Sequence, residues 1–85
     1  MDAPLVLRKV LVMPNASIRQ AAPLAAQVAE WLQEAGLTVT IEPYDFEHPG
    51  KIPCVTGYDL MIALGGDGTL LRAGHIAAEQ GIPVL

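Results

Sequence analysis

The sequence has one cysteine, Cys54, in 85 residues. That excludes an internal disulfide and a cysteine-cluster metal site, and it fits a reducing, cytosolic setting. Basic residues are also scarce: five Lys and Arg stand against nine Asp and Glu, for a net charge of −4. No basic patch or stripe of the kind nucleic-acid binders carry is visible, so an anionic ligand would have to be held by local geometry rather than by the overall field. No apolar run approaches the ~20 residues a membrane helix needs. No long apolar core follows the charges at the N-terminus, so no secretory signal is expected. These absences predict a cytoplasmic chain with no nucleic-acid partner and no membrane. Charged residues make up 16% and hydrophobic residues 52%, the reverse of a disordered segment.

A chain of this length forms one small domain at most and buries roughly 60–65% of its unfolded surface. Its high apolar fraction suggests that some apolar surface meets another element. Ile82-Pro83-Val84-Leu85 reads as the start of a strand with no turn behind it. The simplest account is that residues 1–85 are a fragment of a longer protein, cut inside its sheet.

Lys9 to Met13, extended back by Leu5, Val6 and Leu7, is a nearly continuous apolar run of the kind buried on both faces in parallel sheets. Pro14-Asn15-Ala16-Ser17 breaks it, and Asn15 and Ser17 read as turn or cap residues. From Ala21 to Ala35, Leu24, Val28, Trp31, Leu32 and Ala35 recur at helical spacing, so Trp31 is expected in the core. Pro23 suits the first helical turn and Gly36 the closing position. Leu37 to Glu42 alternates like a strand near a sheet edge, which completes a βαβ unit. Pro43 to Gly57 has three prolines and no period. Its His48 has no second histidine or carboxylate at metal-ligand spacing beyond Glu47 and Asp45, so no metal site is expected; its Gly50-Lys51-Ile52 is not a P-loop, and no chemistry is assigned to the loop. Tyr58 to Leu64 is a third strand, Leu70 to Gln80 a second helix ended by Gly81, and Ile82 begins a fourth strand. The order β-α-β-loop-β-α-β predicts an α/β fold with a doubly wound parallel sheet.

The chemistry centres on Gly65-Gly66-Asp67-Gly68-Thr69, at the carboxyl end of the third strand, where open α/β sheets bind ligands. The glycines allow unusual backbone angles and close ligand approach. The N–H groups of the following helix can hold an anion. Arg72, read as lying in the first turn of that helix, opposes the helix dipole unless it faces a phosphate. Asp67 or Thr69 could instead simply cap the helix, and Arg72 could be a solvated residue beside Leu71 and Ala73, which serve the core. Taken together, three glycines around one acid exceed what a cap requires. The dinucleotide fingerprint fails because position 71 is leucine, and the Walker lysine is absent.

GGDGT followed by LLRA, preceded by DLMIAL and followed by GIPVL, closely resembles the N-terminal domain of NAD kinases. The resemblance runs from about Asp59 to Leu85 and is weaker before that. Lipid kinases of the diacylglycerol type share GGDGT and phosphofructokinases a similar turn, but the lipid kinases usually continue differently after it. The resemblance implies the first part of a two-domain kinase that transfers a phosphoryl group from ATP or polyphosphate to the 2′-hydroxyl of NAD's adenosine ribose. Asp67 would take that hydroxyl's proton. Gly68 and Arg72 would contact the dinucleotide, and Gly65, Gly66 and Thr69 would shape the turn near the phosphates. Mg²⁺ or another divalent cation would come with the nucleotide, with no metal ligand assigned in this chain. A second, β-rich domain and oligomer contacts complete the site in that family, so these 85 residues alone are expected to be inactive and the full-length protein to be a homo-oligomer. A lipid kinase or phosphofructokinase relative, and a non-catalytic nucleotide-binding module, are the alternative readings.

Overall fold

The computed structural model describes residues 7–48 and 50–85, apart from the side chain of Asp67. Its elements are β1 (Lys9–Pro14), α1 (Ala21–Glu34), β2 (Thr38–Ile41), β3 (Leu60–Leu64) and α2 (Asp67–Gln80). The three strands form one parallel sheet in the order β2-β1-β3. β1 is central and Val10 to Met13 are fully buried, as a strand covered on both faces must be. Leu5 and Val6, read as its backward extension, lie outside the described residues, and Leu7 stands before the strand. The strand ends where the sequence reading broke it, with Pro14 as its last residue. The proline's missing N–H falls beyond Ile41, the last β2 residue in the ladder, while its carbonyl accepts from the Tyr44 N–H at 3.1 Å.

Alternation along β1 sends its side chains to two cores. Val10 and Val12 pack with Ala25 of α1, and Leu11 and Met13 pack with Met61 and with Ala73 and Ala77 of α2. The helices therefore cover opposite faces, which makes the sheet doubly wound. α1 meets the sheet through Ala21, Ala25 and Ala29, with Val28 and Leu32 half-buried. Small side chains let the helix lie close to the strands, and two bulky residues of the expected stripe, Leu24 and Trp31, are turned outward. Trp31 is 58% exposed and Leu24 46% exposed, so Trp31 is not a core residue. Gly36, at φ +92°, closes α1: its N–H bonds the Gln33 carbonyl and the Leu37 N–H reaches the Leu32 carbonyl, the paired pattern of a Schellman motif.

The 43–57 loop is more structural than its composition suggested. Phe46 and Val55 are buried in the α2-side core, and Tyr44 and Phe46 meet edge to face at 4.9 Å. Two α2 side chains hold the loop. Gln80 accepts from the Val55 N–H at 2.7 Å and donates to the Pro53 carbonyl at 2.9 Å, while Arg72 donates to the Phe46 carbonyl. Beyond Gly81, a left-handed cap at φ +75°, the expected fourth strand is a single parallel bridge from Val84 to Met61 on the free side of β3. The Pro83 carbonyl accepts from the Met61 N–H at 2.9 Å, and Leu85 donates to the Met61 carbonyl at 2.8 Å and accepts from the Ala63 N–H at 2.9 Å.

Candidate functional site

β1 and β3 are neighbours, yet the chain leaves β1 for β2 on the other side and the two helices lie on opposite faces. The strand order thus reverses between β1 and β3. Their carboxyl ends form the switch-point crevice where open α/β sheets bind ligands. Asn15 stands at one lip and Gly65 at the other, joined by a bond from the Asn15 N–H to the Leu64 carbonyl at 2.8 Å.

α2 begins at Asp67, three residues earlier than the sequence reading placed it. Gly66 is the N-cap, in extended backbone at φ −85° and ψ −174°. Asp67 and Thr69 are the first and third helical residues, so neither occupies the cap position that the simpler reading gave them. The Asp67 side chain lies outside the described residues. An acid there complements the positive end of the helix dipole. The first N–H groups of such a helix have no acceptor one turn back and face outward from its start. Arg72, five residues on, belongs to the second turn rather than the first.

The glycines do not serve the purpose expected of all three. Among the described residues, positive φ occurs at Gly36, Gly57 and Gly81, not in this turn. Gly65 is required by space, because a Cβ there would come within 3.0 Å of the Thr69 side chain. Gly66 and Gly68 are different: a Cβ at either would meet nothing within 4 Å. The fold would accept a side chain at both positions. What glycine supplies there is bare, exposed backbone at the mouth of the crevice.

Beneath the turn, Thr69 and Asn15 are buried together, and Asn15 Nδ2 donates to Thr69 Oγ1 at 2.7 Å. Asn15 Oδ1 accepts from the Ser17 N–H at 3.0 Å and the Ser17 hydroxyl at 2.8 Å. Turn chemistry was the sequence reading for Asn15 and Ser17, and it holds. The link from Asn15 to the glycine turn was missed, since nothing local in the sequence shows that β1 and β3 are neighbours.

On the α1 side, Gly65 and Gly66 line an open cavity of about 340 Å³ with Ile18, Gln20, Ala21, Leu24 and Leu64. The start of α1 and the residues leading into α2 therefore border one space. Arg72 is not part of it. Its guanidinium bonds the Phe46 carbonyl and stands 3.7 Å from Glu47, beside a second cavity of about 250 Å³ shared with Tyr44, Ile52 and His75. Within this chain it anchors the 43–57 loop rather than lying free in solvent. Leu71, read as a core residue, is 65% exposed, whereas Ala73 is buried as expected.

Among the described residues no three His, Cys, Asp or Glu side chains gather to hold a metal ion. His48 and Asp45 form only an exposed pair at 3.2 Å. Among the described residues no helix is long and apolar enough to cross a membrane. At the opposite end of the sheet, Asp59 Oδ2 accepts from the N–H groups of Lys9 at 2.9 Å and Arg8 at 2.8 Å. Those bonds, Lys9 first, hold its carboxyl below the ordinary carboxylate value.

Residues 46–85 match the family model of the ATP-NAD kinase N-terminal domain. Over 80 residues the chain is 39% identical to the NAD kinase of Chloroflexus aurantiacus, a match that covers 94% of this chain and 29% of that protein. It is 33% identical over 90 residues to NAD kinase 2 of Streptomyces coelicolor, covering 93% of this chain and 30% of that one. Against NAD kinase 1 of Thermosynechococcus vestitus it is 36% identical over 83 residues, covering 93% and 27% respectively. The chain thus spans about 30% of the length of the curated relatives it matches.

Proposed function

We propose that this chain, whose residues 46–85 match the family model of the ATP-NAD kinase N-terminal domain, belongs to that family and is the first part of a longer NAD kinase. The full protein transfers a phosphoryl group from ATP or polyphosphate to the 2′-hydroxyl of NAD's adenosine ribose, giving NADP. The observation that carries this reading is the pair Gly66 and Gly68, bare at the switch point for no reason internal to the fold.

In this reading the exposed main chain at Gly66 and Gly68 lies against the dinucleotide, and the unpaired N–H groups at the start of α2 face its phosphates. Gly65 and Thr69 hold the turn in shape beneath. A carboxylate with an ordinary pKa near ~4 is ionised at neutral pH but is a weak base. In most analyses the transition state of phosphoryl transfer is loose, so the nucleophile needs positioning more than early deprotonation. Asp67 orients the 2′-hydroxyl and receives its proton late. Arg72 reaches the dinucleotide by leaving Glu47, or acts on it through the loop it anchors.

A divalent cation supplies charge neutralisation on the donor phosphates when bound. Among the described residues no three His, Cys, Asp or Glu side chains gather to hold it, and in this reading it enters with the nucleotide. The remaining part of the protein completes the site, as a homo-oligomer working in the cytoplasm, and the 85-residue part alone is inactive.

The test is the full-length protein with NAD and ATP or polyphosphate. It forms NADP, and Asp67→Asn lowers kcat by roughly two orders of magnitude or more, the scale of a positioned acid–base group. No NADP from the wild type, or an Asp67→Asn variant as fast as wild type, overturns the proposal.

A further inference from the structure

The buried contact between Asn15 and Thr69 has a direction that can be deduced. The Ser17 backbone N–H can only donate, so the Asn15 atom facing it at 3.0 Å must be the amide oxygen. That places the Asn15 NH₂ group toward Thr69 Oγ1, which accepts at 2.7 Å. The Thr69 hydroxyl proton is consequently directed away from Asn15. On its other side the Thr69 side chain fills the space a Cβ at Gly65 would need. Thr69 is therefore held between an amide from the end of β1 and the bare backbone at the end of β3. This contact links residues 54 apart in sequence and lies directly under the first turn of α2.

We propose that Asn15 is a positioning residue for the reaction, acting through Thr69 to fix the Gly65–Gly68 backbone against the bound dinucleotide. The inference rests on the kinase reading above. Asn15 is fully buried and touches no substrate itself. Its amide sets where the third helical residue sits, and so how the exposed N–H groups and Asp67 are presented. A structural contact alone would be equally well served by two apolar side chains. The polar pair specifies one arrangement of the turn, because a buried amide or hydroxyl without its partner is costly.

The experiment uses the full-length protein and measures NADP formation and thermal unfolding together. Wild-type turnover comes first: its absence overturns the kinase reading and this inference with it. With an active wild type, Asn15→Ala lowers kcat by about tenfold to a hundredfold, the range a small misplacement of reacting groups costs. Val12→Ala, a core truncation in β1 away from the turn, serves as the control and keeps the wild-type kcat at a temperature where it is folded. Asn15→Asp keeps the size and the acceptor for Ser17 but offers Thr69 an acceptor instead of a donor. It also lowers kcat, and it carries the test if Asn15→Ala does not fold. Thr69→Val loses a similar factor, and the Asn15→Ala, Thr69→Val double variant loses no more than the worse single one, as coupled partners should. Asn15 variants with kcat within twofold of wild type overturn the proposal while leaving the kinase reading intact. So does a loss in Val12→Ala equal to that in Asn15→Ala, or multiplied losses in the double variant.

Discussion

Gly65 and Gly68 are three residues apart in one turn, and the structure gives their replacement by alanine opposite signs. At Gly68 the backbone is helical and an added Cβ meets nothing within 4 Å. Alanine there gains helix propensity over glycine, worth at most about 1 kcal/mol. At Gly65 the new Cβ would come within 3.0 Å of three atoms of Thr69, a side chain that cannot retreat because Asn15 holds it from behind. Forcing a methyl group into a well-packed site costs typically about 1–3 kcal/mol. The two substitutions should therefore differ by about 1–4 kcal/mol in chemical unfolding of the full-length protein, with Gly68→Ala the more stable. Activity should not follow stability. Gly68→Ala puts a methyl group on the surface assigned to the dinucleotide, so KM for NAD rises even as the fold gains. Two results would refute this reasoning: Gly68→Ala as destabilising as Gly65→Ala, or Gly68→Ala with unchanged KM for NAD.

Two further outcomes bear on the fold. The Asp59 carboxyl is held below its ordinary value by the Lys9 and Arg8 N–H groups. Its contribution is present above the unfolded-state value and is lost as pH falls through the depressed one. Asp59→Asn should thus flatten the decline of stability below about pH 4, and an acid unfolding profile parallel to wild type would contradict that. Phe46 is buried and Trp31 mostly exposed, so Phe46→Ala should cost about 3–5 kcal/mol and Trp31→Ala well under half of that. Equal losses by denaturant titration would place Trp31 in the core after all.

Read alone, the sequence determined the alternation of elements, the parallel doubly wound sheet, the closing roles of Gly36 and Gly81, and the position of the glycine turn at a strand's carboxyl end. These are local matters of apolar period, backbone freedom and chain punctuation, and they are written in runs of a few residues. The family resemblance was legible for the same reason, because GGDGT and LLRA are contiguous. What only the tertiary structure decided concerns faces and neighbours. Whether α1 buries Ala25 or Trp31 depends on how closely the helix approaches the sheet, and a stripe at helical spacing does not show that. Phe46 and Val55 became core residues because α2 reaches across with Arg72 and Gln80 to hold a loop that has no period of its own. The glycines looked alike in sequence, yet one yields room to Thr69 and two bare the backbone to the crevice. That distinction, like the bond from Asn15 to Thr69, exists only once β1 and β3 lie side by side.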